Sequence, residues 1–176
     1  GIMTISWRAI RADVESRSPL TFVSQVIRHQ GQMWEADITF PPMDRTEAEE
    51  FVAFLLKLDG RYGTFTMMPP EAETPMGSAR ITPGTPLIAG AGQTGAELLI
   101  DGLPASVNGY LLAGDYIQTG SGSSTVLHKV LTDVDTNASG EATLDVWPHL
   151  RSSPTDNSPV VVSGAQGLFK LEKPIM

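Results

Sequence analysis

Between Trp34 and Phe65 the apolar positions change period twice. Over Met33–Phe40 they alternate, with Trp34, Ala36, Ile38 and Phe40 on one side and Glu35, Asp37 and Thr39 on the other. That predicts a strand with one buried and one wet face. Pro41-Pro42 cannot continue a ladder. Beyond it Ala48, Phe51, Val52, Leu55, Leu56 and Leu58 recur at helical spacing. Asp44 is placed as an N-cap, Glu47 completes a capping box, and Met43 can staple onto Ala48. Gly60 is the expected left-handed stop. This is the one long helical pattern in the chain, and its apolar face needs a sheet. The sheet is expected from Thr21–Arg28, Gln32–Phe40 and Gly63–Met68, with Trp34, Ile38, Phe51, Leu55, Leu58 and Phe65 as the core.

Before this stretch, Thr4–Ile10 reads as a strand, Asp13–Pro19 as a polar turn and Leu20–Ile27 as a second strand. His29–Gln32 is the expected hairpin turn. After Pro69-Pro70 the texture changes. Glu71–Gly77 is an acidic, proline-bearing linker, and short β runs follow at Ala79–Ile81, Leu87–Ala89, Glu97–Ile100, Tyr116–Thr119, Thr125–Thr132, Ala142–Val146 and Val160–Val162. Turn signals at Asp101-Gly102, Asn108-Gly109 and Ser139-Gly140 separate several of them, as in a small barrel or sandwich. Gly167–Glu172 is expected to return to the first sheet. The reading is a mainly β (α+β) chain: a helix-backed β-sheet domain over 1–74 plus 166–176, and an inserted β-barrel or sandwich domain over 75–165.

Composition narrows the function classes. A 41% hydrophobic fraction sustains a core, so disorder is not expected. A net charge of −8 argues against binding nucleic acid by phosphate neutralisation and suits a surface that nucleic acid passes without sticking. The absence of cysteine removes disulfides, thiolate metal sites and cysteine nucleophiles. No apolar run approaches the ~20 residues that span a bilayer, and Arg8 and Arg11 interrupt any leader-like apolar segment. No membrane is expected.

Candidate chemistry is thin. Gly90–Gly95 satisfies G-x-G-x-x-G with Asp115 further on, but Asp101-Gly102 and Pro104 follow too soon for a pyrophosphate-binding helix. Asp133, Asp135 and Asn137 open like a calcium loop, yet Ala138 and Leu144 stand where glycine and a carboxylate are needed. His29, His128 and His149 are far apart with no carboxylate at metal-ligand spacing. Ser121–Ser124 lack a nucleophile elbow, and Glu71 and Glu73 read as solvated. No catalytic, cofactor or metal site is assigned, and the chain is not expected to be an enzyme.

Several groups of residues resemble a known family. Ser18-Pro19-Leu20-Thr21, Gln32-x-Trp34-x-Ala36, Pro41-Pro42-Met43 and the run from Ala48 through Phe51, Phe54-Leu55, Leu58, Gly60 and Gly63 to Phe65 look like distal tail or baseplate ring proteins of long-tailed bacteriophages. Leu112–Ile117, Gly140-x-Ala142-x-Leu144 and Trp147-Pro148-x-Leu150-Arg151 resemble β modules of phage structural proteins. The resemblance implies a virion protein, made in the bacterial host cytoplasm, with a tail-tube-like domain. It implies a homo-oligomeric ring, a hexamer by analogy, that continues the tube, joins tube and tail-tip hub proteins, and lets DNA through without specific binding. Unpaired edges at Thr4–Ile10 and Arg61–Phe65 are the expected interface contributors. The alternatives are a carbohydrate-binding β module, with Tyr110, Tyr116 and Trp147 as a stacking platform, and a tail-associated cell-wall hydrolase.

Overall fold

The computed structural model describes residues 3–173; residues 1, 2 and 174–176 of the expected first domain lie outside the described residues. The fold is mainly β with one α-helix, the α+β class that the pattern predicts. Two compact units are present, Gly1–Pro41 and Pro42–Met176. This division falls at the Pro41-Pro42 corner, whereas the sequence suggested boundaries near 74 and 166.

The first unit is one long antiparallel hairpin. Strand β1 (Thr4–Arg17) pairs with β2 (Ser24–Thr39) from Thr4↔Thr39 to Arg17↔Ser24. The expected turns at Asp13–Pro19 and His29–Gln32 are therefore corrected. Asp13 lies opposite Arg28 and Val14 opposite Ile27, so the polar residues that suggested a turn are cross-strand partners. The reversal lies at Ser18–Val23. There the Ser18 hydroxyl accepts from the amides of Leu20 and Thr21 at 3.4 and 3.3 Å, and Ser18 N donates to Val23 O at 3.0 Å. His29-Gln30-Gly31 face the single residue Ala12, where the register shifts between Arg11 and Asp13, a bulge rather than a turn. Gly31 is needed there, because a Cβ would come within 2.8 Å of the Ala12 Cβ.

In the second unit Asp44 caps α1 (Arg45–Lys57) by accepting from Glu47 N at 3.0 Å. The helix stops as expected: Asp59 and Gly60 both take positive φ, 51° and 65°. Gly63 N then donates to Leu58 O at 2.7 Å, in a turn too tight for any Cβ at Gly63. The expected three-stranded sheet does not form. Strand β3 (Phe65–Met67) pairs with β9 (Gly167–Phe169), a separate two-stranded ribbon. The helix meets that ribbon through aromatic contacts: Phe51 with Phe54 at 6.3 Å, Phe54 with Phe65 at 5.8 Å, and Phe65 with Phe169 at 6.4 Å between centroids. Of the six expected core residues only Leu58 is buried; Trp34, Ile38, Phe51, Leu55 and Phe65 are half-buried. In its own unit Trp34 stands edge-on to Trp7 at 6.3 Å.

The densest core lies elsewhere. Strands β4 (Leu87–Ile88), β5 (Gly95–Asp101), β6 (Tyr116–Thr119), β7 (Val126–Val130) and β8 (Ala142–Leu150) form one curled antiparallel sheet in the order β4-β5-β8-β7-β6. Leu98, Ile100, Leu144 and Val146 alternate inward and are fully buried with Ile88, Tyr110, Leu111 and Ile117. Both outer strands bond to the same segment: Leu87 bridges Pro159, and Gln118 bridges Val161. Two expectations change here. Ala79–Ile81, taken as a β run, belongs to a 3-10 turn at Ser78–Arg80. Glu71–Gly77 is no loose linker, because the Asp115 carboxylate accepts from Met76 N at 2.7 Å and Gly77 N at 3.3 Å. The same segment bonds to the chain before β9, Gly164 N donating to Ala72 O at 2.9 Å and Ser163 Oγ to Glu73 O at 2.8 Å.

These burials rank two substitutions. Leu144→Ala, at a fully buried site, should cost about 3–4 kcal/mol through lost transfer energy and a residual cavity. Phe51→Ala, at a half-buried site, should cost clearly less. Denaturant titration of both variants checks the order, and a larger loss for Phe51 would move the core to the helix.

Candidate functional site

The residues with chemical potential are mostly spent on holding loops. Asp133 Oδ1 accepts from Ala113 N at 2.9 Å and Asp135 Oδ1 from Gly109 N at 2.7 Å. Asn137 Oδ1 accepts from Ser139 N and Glu141 N at 2.8 and 2.9 Å. What imitated a calcium loop is a row of side chains satisfying backbone donors. Asp115 is buried and takes a third amide, Leu112 N, at 2.8 Å. In the glycine-rich loop, Gly90 N donates to Asp156 Oδ1 at 2.8 Å and Gly92 N to Ser153 Oγ at 2.9 Å. No helix follows it: Gly95 opens β5. Among the described residues no group of three or more His, Cys, Asp or Glu is placed to hold a metal ion. Tyr110, Tyr116 and Trp147 are buried, so the sugar-stacking platform suggested by sequence is not exposed at those positions.

His128 is the one histidine with a strong signature. It is 1% exposed on β7, its Nδ1 lies 2.6 Å from Pro148 O and its Nε2 3.2 Å from Thr119 Oγ1. A carbonyl can only accept, so Nδ1 carries the proton and Nε2 accepts from the threonine hydroxyl. Burial pushes its pKa down to about 4 from the ordinary 6.5, against a smaller upward pull from the Pro148 carbonyl. The imidazole therefore ties β6, β7 and β8 together in its neutral form.

The remaining feature is the hairpin itself, an arm whose outer part, from Ala12 to Gln30, is exposed except at the half-buried Ser18. Near its base Ile5, Trp7, Trp34, Ala36 and Ile38 share one face by register and are half-buried. On the other face Arg8 forms ion pairs with Glu35 and, at 2.6 Å, with Asp37. Toward the tip apolar side chains stay in solvent: Val14, Phe22, Val23, Val26 and Ile27 are each more than half exposed, and Leu20 is 89% exposed. Arg17 rests over the Phe22 ring at 5.3 Å. A two-stranded ribbon is marginal in water on its own, and both of its long edges offer backbone groups for pairing. The sequence hid this surface because the arm's polar residues resembled turns.

The arm also differs in charge. Residues 1–41 contain four arginines, Arg8, Arg11, Arg17 and Arg28, against Asp13, Glu15, Glu35 and Asp37, so the whole −8 falls on 42–176. Arg11 lies 3.8 Å from Asp13. Among the described residues no helix is long and apolar enough to cross a membrane. No protein-family model matches the chain, and no curated protein matches it in sequence.

The buried histidine predicts an acid response. Unfolded, His128 takes up a proton near pH 6.5; folded, it resists until about pH 4. Its contribution is therefore complete above pH 6.5 and is lost progressively as pH falls from 6.5 toward 4, by roughly 3 kcal/mol in total. Urea titrations across that window should show the slope, and His128→Asn should flatten it.

Proposed function

We propose that this chain is a structural subunit of a phage tail tip that assembles into a closed ring continuing the tail tube. One observation carries the reading: the first unit is a long two-stranded arm with exposed apolar residues, whereas the five-stranded sheet of the second unit pairs both of its outer strands with residues 158–162. Such an arm is poorly suited to an isolated monomer and well suited to burial by neighbours. A closed ring needs a heterologous contact in which one patch meets a different patch on the next subunit. The arm supplies one such patch, and the resemblance of the sequence to distal tail proteins supplies the architecture, six-fold order and tube and hub partners included.

Passage of DNA fits the charge arrangement. Phosphate binding requires available cations. Arg8 is already paired with Glu35 and Asp37, Arg11 lies near Asp13, and Asp13 stands opposite Arg28. A wall built from arms would carry no net charge, with Arg8 paired and Arg17 laid over the Phe22 ring, and the rest of the chain is acidic.

Hydrogen exchange tests the reading. In dilute protein the amides of Ala12–Gln30 should exchange fast and those of β5 and β8 slowly. On assembly the arm amides should gain protection. Density at the tail tip of virions then decides identity: absence of this chain from the particle, or turnover of a sugar or peptide substrate by the pure protein, would sink the proposal.

A further inference from the structure

We propose that the Asn108-Gly109 turn is a self-modification site that Asp135 holds dormant: once the Gly109 amide is released, Asn108 converts to aspartate or isoaspartate. The site is independent of ring assembly. In the reaction the Gly109 nitrogen attacks the side-chain carbonyl carbon of Asn108. The N–H proton is lost, the side-chain nitrogen leaves as ammonia, and a cyclic imide closes. Water then opens the imide at either carbonyl. One product is aspartate with a normal main chain, the other isoaspartate with the main chain routed through the β-carbon. A following glycine favours this closure, because no Cβ crowds the attacking nitrogen. The chain has three asparagines, and only Asn108 precedes glycine; Ala138 follows Asn137 and Ser158 follows Asn157. Asn108 is exposed in its turn, so water reaches it.

The bonds around Gly109 account for the dormancy. Its N–H, the group that must become the nucleophile, donates to Asp135 Oδ1 at 2.7 Å. An amide nitrogen attacks only after its proton has gone, and a carboxylate alongside disfavours the resulting anion by like charge. On the other side, the Gly109 carbonyl accepts from Ser78 N at 2.9 Å and from Ser78 Oγ at 3.1 Å. The next residue is fixed as well: Tyr110 N donates to Val134 O at 2.7 Å, and Ala79 N to Tyr110 O at 3.0 Å. Gly77 lies so close that a Cβ there would overlap the Tyr110 carbonyl. Local opening that breaks the Asp135 bond is therefore the step that frees the nitrogen. Isoaspartate lengthens the main chain at a place with no slack, so modification loosens the junction of residues 77–79 with 109–110.

Trypsin places the three asparagines in separate peptides, because cuts after Arg80, Lys129, Arg151 and Lys170 divide them. The full chain is held in mildly alkaline buffer, and the amide-to-acid mass gain is followed in each peptide. Folded wild-type protein should change at Asn108 severalfold more slowly than the same protein in urea. Asp135→Ala should remove most of that difference. Asp133→Ala, which frees the Ala113 amide instead, should not. Asp135→Ala protein that folds but modifies Asn108 no faster than wild type would overturn the proposal. So would a slower rate, the result expected if the carboxylate acted as a base. Where Asp135→Ala does not fold, Asp135→Asn keeps the shape and removes the charge. It should also speed the change, and no acceleration there would overturn the proposal equally.

Discussion

Every β-strand at the margin of a sheet leaves a row of N–H and C=O groups that must find partners, and the two units meet this constraint in opposite ways. In the second unit Ser158–Val162 runs along both margins of the five-stranded sheet. Val160 N donates to Pro86 O at 2.9 Å on one side, and Val161 and Gln118 exchange bonds of 2.9 and 2.8 Å on the other. The sheet curls to share this segment, and that curvature encloses Ile88, Leu98, Ile100 and Val146. In the first unit the ladder of β1 and β2 satisfies only the groups that face inward, and nothing in its two-stranded sheet covers the outer rows. Stability concentrates where edges are closed and the capacity for association where they are open.

The sequence displayed these features unequally. Helix α1 was legible because the Asp44 cap, the apolar period and the Gly60 stop agree, and the cap and the stop form as expected. Strands β5 and β8 were legible as short apolar runs bounded by turn signals at Asp101-Gly102 and Ser139-Gly140, and in β8 Leu144 and Val146 alternate with Thr143 and Asp145. The hairpin was not. Asp13, Glu15 and Arg17 lie on a strand but look like a turn, since their partners Arg28, Val26 and Ser24 are known only once the register is known. The expected helix-on-sheet core failed for a related reason. Two patterns that each need a partner do not say which partner, and α1 packs on the short β3–β9 ribbon through its phenylalanines.

Acidic side chains carry a second lesson. Read by spacing, Asp133, Asp135 and Asn137 suggest a ligand; read by contact, they replace water as acceptors for loop amides. The same holds for Asp115, whose carboxylate gathers three amides from two segments. A glycine-rich β protein exposes many unpaired loop donors, and short carboxylates satisfy them at low entropic cost. Part of the −8 charge is therefore structural, and total charge alone says little about a conduit. The informative quantity is its partition, neutral on the arm and acidic on the remainder.

Association of such an arm is coupled to its own ordering. Fixing backbone residues costs ~1–2 kcal/mol each, and an isolated ribbon recovers little of that by burial. Leu20, Phe22 and Val23 can contribute only when another surface removes them from water, at ~25 cal/mol per Å² of apolar area. A single subunit in dilute solution thus gains little from a rigid arm. Subunits gathered at high local concentration gain burial and edge pairing together, with no need for a covalent or ligand-driven trigger. On the ring reading, closure is favoured where neighbours are already held, and free subunits remain separate until then.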